Sequence, residues 1–247
     1  MEPIDIATFC QSSQGQRILA YPSGNGVETR WAELQTHPVQ GVYDFGPKQT
    51  QGINILGLGY CGLVLLVQGG PPAQTLALKI RRTHAPHSTL QAEGNALRLA
   101  NSVGVGPQLV TCTDNFLLMQ YVDGPRLVDW LRRPPDQMRP TLRHLIEQAH
   151  RLDQLGLDHG ALRCITDHAL VPPHGPVLID FSGASQTRRP ANITTLLQGL
   201  FISTQIAELV APHFAHVTRD GLIHHLRDYK QSPSQDKVDA LYRYLDL

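Results

Sequence analysis

The tightest constraint on this chain is the stretch Leu56 to Val64, LGLGYCGLV, followed by LALKI at Leu76 to Ile80. Gly57, Gly59 and Gly62 stand at G-x-G-x-x-G spacing. Lacking Cβ atoms, such a turn lets backbone amides come close to a phosphate, and a lysine soon afterwards can pair with one. The same spacing also suits a glycine-rich hairpin that binds nothing, and with 21 glycines in the chain it is weak by itself. Its surroundings are more selective. A dinucleotide-binding fold would follow the glycines with a helix and set an acidic residue about 20 positions on. Here LVLLVQ continues as strand, and no Asp or Glu lies between Asp44 and Glu93. A Walker A loop needs G-K-[ST], which is absent. What remains is a glycine turn joining two strands, with a lysine on the next strand.

The 247 residues allow one large domain or two lobes around a cleft. Apolar residues make up 41% and charged residues 17%, enough for a substantial core. The 21 basic and 21 acidic residues cancel, which argues against a protein that coats nucleic acid or an anionic membrane. Cys10, Cys61, Cys112 and Cys164 form no C-x-x-C pair, so a reducing compartment is expected and a disulfide framework is not. The opening MEPIDIATFC has neither a basic n-region nor an apolar h-region, so no secretory leader is expected. The longest apolar run, Ile53 to Val67, is too short and glycine-broken to span a bilayer. A cytoplasmic globular protein is the expectation.

Three regions follow from the pattern. Residues 1–45, punctuated as in YPSGNG, read as an irregular extension with one or two short strands. Residues 46–122 read as strand, glycine turn, strand, strand, helix (STLQAEGNALRLANSVG), strand, strand. Residues 123–247 turn helical through RLVDWLRR and MRPTLRHLIEQAHRLDQLG. They pass through LDHGALRCITDHALV and the strand PVLIDFSGAS, and end in helices from about Ile193 and in QDKVDALYRYL.

From about Leu56 to Asn192 these pieces, in this order, resemble the protein kinase-like superfamily. GLGYCGLV is similar to its glycine-rich loop, making Gly57, Gly59, Gly62 and Val64 nucleotide contacts. LALKI is similar to the strand that ends in the phosphate-pairing lysine, here Lys79, with Ala77 against adenine. Glu93, 14 residues later on the expected helix, is its ion-pair partner. FLLMQYVDG resembles the hinge, with Met119 behind the pocket and Gln120, Tyr121 and Val122 presenting backbone groups to adenine. LIDFSG resembles the D-F-G element, with Asp180 on the metal. The fold implied is α+β and two-lobed, an antiparallel-sheet lobe with one helix followed by a shortened, mainly helical lobe. Taken singly, Lys79 also suits a solvated strand lysine, Glu93 a helix-surface acid and Asp180 a strand end.

LDHGALRCITDHALV resembles the H-G-D-L-x-x-x-N loop of the small atypical kinases of RIO and Bud type more than the common H-R-D form. It is also similar to the rewritten H-G-x-L loop of archaeal and cyanobacterial kinase-like proteins. His159, Gly160 and Leu162 match, but Ala161 occupies the base position and an insertion places His168 where a magnesium-binding Asn would stand. Magnesium prefers oxygen, so His168 also suits a loop histidine bonded to backbone. A general base contributes about 10²–10⁴-fold to such a reaction, so its loss slows transfer without abolishing it. Asp158 and Asp167 are the nearby substitutes. Arg188 and Arg189 suit an anion contact or a helix start before Pro190, and Cys61 a small filler or an oxidation-sensitive thiol.

The resemblance implies an atypical serine/threonine protein kinase. It would bind ATP and Mg2+ between the lobes and carry out slow protein phosphorylation, including of itself, on an unidentified protein substrate, with no nucleic acid or membrane partner. The rival is a pseudokinase, a nucleotide-binding scaffold or regulatory module, which Ala161 favours. A small-molecule kinase of the aminoglycoside-phosphotransferase type is a third reading, though that type uses an Asp base.

Overall fold

The structure, a computed structural model, describes residues 2–132, 137–203 and 205–247. The chain is α+β and divides into two compact units, residues 1–98 with 108–121, and residues 99–107 with 122–247.

The first unit begins with β1 (Ile4–Asp5), α1 (Ile6–Gln11), α2 (Ser13–Leu19), α3 (Val27–Leu34) and β2 (Val39–Tyr43). This corrects the expectation of an irregular extension. The helices are one or two turns each, too short to show a 3.6-residue period, and side-chain caps hold α1 and α2. Asp5 accepts the Thr8 amide at 2.9 Å and Ser12 accepts that of Gly15 at 3.0 Å. Then follow β3 (Lys48–Thr50), β4 (Ile53–Ile55), β5 (Gly57–Leu58), β6 (Gly62–Gly69), β7 (Gln74–Arg81), α4 (Gln91–Asn101), β8 (Leu109–Cys112) and β9 (Phe116–Gln120). From β5 onward the element order is the one the sequence predicts.

The sheet has seven strands in the order β1-β2-β6-β7-β9-β8, with β5 on β6, and every pairing is antiparallel. Its central strands are two-faced. Leu63, Leu65, Leu76, Leu78, Ile80, Phe116 and Leu118 share a core with Phe9, Ile18, Leu19 and Leu34 of the amino-terminal helices. Strand alternation therefore turns Val64, Ala77, Lys79 and Met119 to the other face. The amino-terminal segment lines one side of the sheet and leaves the candidate nucleotide residues on the other.

The second unit contains α5 (Leu127–Leu131), α6 (Met138–Leu155), a 3₁₀ turn (Leu162–Asp167), β10 (Ala169–Leu170) and β11 (Val177–Leu178). These are followed by α7 (Asn192–Phe201), α8 (Gln205–Val210), α9 (Arg219–Gln231) and α10 (Gln235–Leu245). The helix read over RLVDWLRR is shorter than expected, and its last residue, Arg133, lies outside the described residues. α6 ends at Gly156, whose φ of 76° suits glycine as a left-handed cap. α9 was not separately foreseen, because His224, His225, Arg227 and Asp228 mask its buried row of Leu222, Leu226 and Tyr229. The core of the unit joins that row to Leu145, Ile146 and Ala149 of α6 and to Leu196, Leu197 and Leu200 of α7. No single helix among the described residues is long and apolar enough to cross a membrane.

Candidate active site

In the first unit, β5 and β6 form the two arms of the glycine turn. Gly57 pairs with Val64 and Leu58 with Leu63, and the Gly59 amide donates to the Gly62 carbonyl at 2.8 Å. The three glycines are there for different reasons. A Cβ on Gly62 would lie 2.8 Å from the Ile80 oxygen and 3.2 Å from Lys79 Cγ, so close strand packing requires glycine there. A Cβ on Gly57 would meet nothing within 4 Å, and one on Gly59 only the Gly62 oxygen at 3.8 Å. Neither has a left-handed φ. The fold itself does not demand glycine at 57 or 59, and the space beside them is open. Tyr60, at the tip, is 75% exposed.

Val64 is directly opposite Lys79 on β7, and Ala77 is opposite Met119 on β9, so all four share one face. Lys79 Nζ donates to Glu93 Oε1 on α4 at 2.6 Å, with both side chains buried. Of the hinge candidates, the Gln120 amide is already committed to the Gln108 carbonyl at 2.8 Å. Tyr121 and Val122 follow where the two units divide.

In the second unit, His159 is fully buried. Its Nε2 lies 3.2 Å from the Ile179 carbonyl, which only accepts, so Nε2 carries the proton. The ring lies tilted against Phe181 at 4.7 Å between centroids and meets His168 edge-on at 5.7 Å. Burial, reinforced by His168, pushes its pKa down to about 4, against the pull of Asp180. His159 is therefore neutral at pH 7 and positions the strand leading into Asp180.

Asp180 has a φ of 65°, a left-handed conformation that few residues other than glycine, Asn and Asp adopt. Its Oδ1 accepts the Ser182 amide at 3.3 Å. Asp158 is held differently. It exchanges two backbone hydrogen bonds with Ser185, at 2.9 and 2.8 Å, and its Oδ2 accepts Arg188 Nε at 2.8 Å. Arg188 also donates to the Gly183 carbonyl. Asp158 thus ties the segment after Asp180 to the loop before Ala161 and is already engaged as a carboxylate. Arg189 donates to the Lys230 carbonyl near the end of α9, a structural role. Asp167 is 65% exposed and meets Arg126 at 3.5 Å. His168 has Nδ1 buried without a hydrogen bond.

Gly160 is where the two loops touch. Its φ is 81°, and a Cβ there would collide with the Gly183 carbonyl oxygen and the Arg188 guanidinium. Gly160→Ala is expected to destabilise the protein by about 2 kcal/mol. Urea unfolding measures this, and an unchanged midpoint would show that the loops do not abut.

Sequence reasoning missed a buried network behind this loop. Asn192, fully buried at the start of α7, accepts the His159 amide at 2.8 Å and donates to the Leu157 carbonyl and Asp153 Oδ1, each at 2.8 Å. Asp153 on α6 also accepts the Asn192 and Ile193 amides at 2.8 and 3.2 Å, capping α7. Tyr229 donates to Asp153 at 3.0 Å and accepts from His150 Nδ1 at 3.0 Å. Burial raises the Asp153 pKa despite these donors. The only signal was polar residues at core positions of helices, which one sequence does not distinguish from surface positions.

No group of three or more His, Cys, Asp or Glu residues able to hold a metal occurs among the described residues. His168 and Asp180, the two expected metal ligands, belong to no such group. Comparison with known proteins finds no family model that matches the chain and no curated protein that matches it in sequence.

Proposed function

We propose that this protein is an atypical serine/threonine protein kinase that moves the γ-phosphoryl group of ATP slowly onto a protein hydroxyl, its own included. The observation that carries this reading is on the first unit. The buried Lys79–Glu93 pair stands on the same sheet face as Val64, Ala77 and Met119, beside two glycines whose side-chain space is open. A cation fixed by a carboxylate, next to a glycine backbone that a ligand can approach closely, is an arrangement for polyphosphate.

In this reading the glycine turn lies along the phosphates, Lys79 pairs with them, and Ala77 and Met119 contact the base. Asp180 holds the nucleotide's magnesium, which neutralises charge as it develops. His159 sets the backbone of Asp180 and does not exchange protons. With Ala161 at the base position and Asp158 bonded to Arg188, Asp167 is the remaining acid for the acceptor hydroxyl, and turnover is slow.

A second reading is a nucleotide-binding scaffold, favoured by that same engagement of Asp158. Incubation with γ-labelled ATP and magnesium beside an Asp180→Ala control separates the two. Label on the protein or an acceptor, lost in the control, is expected. No label with retained protection by ATP against heat would favour the scaffold, and neither label nor protection would end both readings.

A further inference from the structure

We propose that the amino-terminal helices act as a built-in brace, in which Glu33 of α3 works through Asn115 to set Glu93 against Lys79, making Glu33 a positioning residue for the nucleotide site. This rests on the kinase reading above for its consequence, though not for its geometry.

The brace closes a ring around Arg81, two residues beyond Lys79 on β7. Glu33 accepts the Asn115 backbone amide at 2.7 Å and the Asn115 side-chain amide at 2.5 Å. Asn115 Oδ1 in turn accepts Arg81 Nε and Nη2 at 3.0 and 2.9 Å. Buried Arg30, one turn before Glu33 on α3, donates to the Arg81 carbonyl at 2.6 Å and the Leu19 carbonyl at 2.8 Å. A carboxylate and a guanidinium from one short helix thus clasp both the side chain and the backbone of Arg81.

The other end of the brace reaches α4. Asn115 sits in the turn between β8 and β9, and its neighbour Asp114 accepts the Leu90 amide at 2.9 Å and the Thr89 hydroxyl at 2.8 Å. Those two residues lead directly into α4, whose first turn carries Glu93. Fixing the turn therefore fixes the start of α4 and the end of β7 together, and these carry the two members of the ion pair. The segment also grips the glycine turn. The Thr83 amide donates to the Tyr21 carbonyl at 2.8 Å, and Arg82 lies over the Tyr21 ring and donates to the Gly59 carbonyl at 3.2 Å. Core packing alone would not need a carboxylate aimed at Asn115. Leu34, beside Glu33, already anchors α3 in the core.

The test reads the pair directly. Each variant is treated with a limiting amine acylating reagent, and the acylation rate of Lys79 is compared with that of exposed Lys48 by peptide mass spectrometry. Glu33→Ala is expected to raise the Lys79 to Lys48 ratio about tenfold. Glu33→Gln, which can still accept the Asn115 backbone amide, is expected to raise it only about twofold to threefold. Glu28→Ala, exposed on the same helix, should leave it unchanged. In the transfer assay, Glu33→Ala should lower kcat more than it raises the KM for ATP, because the pair has to be formed in the transition state. An unchanged ratio in Glu33→Ala, or equal rises at Lys79 and Lys48, overturns the brace. If Glu33→Ala does not fold, the ratio in Glu33→Gln decides in the same way. Acylation needs no turnover, so a raised ratio in a chain that transfers no label supports the brace and sinks the kinase reading. A flat ratio in a chain that does transfer label does the reverse.

Discussion

Replacing Glu93 with alanine is expected to lower the unfolding free energy by about 3 kcal/mol and to abolish protection of the protein by ATP. The carboxylate is 8% exposed and the Lys79 side chain 7%, at 2.6 Å. Removing one member of a buried pair leaves a cation in a low-dielectric site that water reaches poorly, and that desolvation dominates the loss. Glu93→Gln keeps an acceptor for Nζ without the charge, so roughly half of that loss is expected. The paired replacement Lys79→Met with Glu93→Leu removes both charges and fills similar volume. It should unfold within about 1 kcal/mol of the parent while binding no ATP. Urea unfolding with and without ATP measures all three. If the apolar pair proves as costly as Glu93→Ala, the ion pair serves stability, and its place beside open glycines carries no functional meaning.

The same pair shows where the sequence was legible. Lys79 and Glu93 are 14 residues apart on adjoining elements, and the glycine turn is continuous in the chain, so short-range pattern rules reach them. Val64, Ala77 and Met119 came from the resemblance of their motifs, and the strand register puts all three on one face. The amino-terminal helices were not legible, because α1, α2 and α3 each span fewer than nine residues and depend on burial of Phe9, Ile18, Leu19 and Leu34 for their stability. Long-range polar pairing was equally hidden. Asp158 and Arg188 are 30 residues apart, Glu33 and Asn115 82, and Asp153 and Asn192 39. Each is a residue type that a single sequence assigns to the surface. What changed between sequence and structure is therefore the meaning of the acids. Asp158, a candidate base by proximity to His159, bonds Arg188 and Ser185, while Glu33 and Asp153, unremarked in the sequence, bond Asn115 and the start of α7.

The largest pH effect is expected at His159. Its folded pKa lies near 4 and its ordinary value near 6.5. Between those limits the unfolded chain takes up a proton that the folded chain refuses. Unfolding therefore becomes easier as pH falls from 6.5 to 4, and below 4 the loss is complete. A depression of this size corresponds to about 3 kcal/mol. The structural cause is specific. Nε2 already donates to Ile179, so an added proton must sit on Nδ1, which is buried without an acceptor, and the neighbouring His168 ring also opposes that proton. His37, His144 and His150 are lowered by burial and push stability in the same direction, so the parent curve alone does not isolate the effect. Asp153, raised by burial, pushes the opposite way, losing stability as pH rises from its ordinary 3.8 through its raised value. His159→Gln isolates it, since the amide can still donate to the Ile179 carbonyl but does not titrate. Unfolding free energies of parent and variant, measured from pH 7 to 4, should converge by about 3 kcal/mol as pH falls. Parallel curves would mean that His159 accepts its proton in the folded state. The imidazole packed against Phe181, next to Asp180, would then titrate within the native structure.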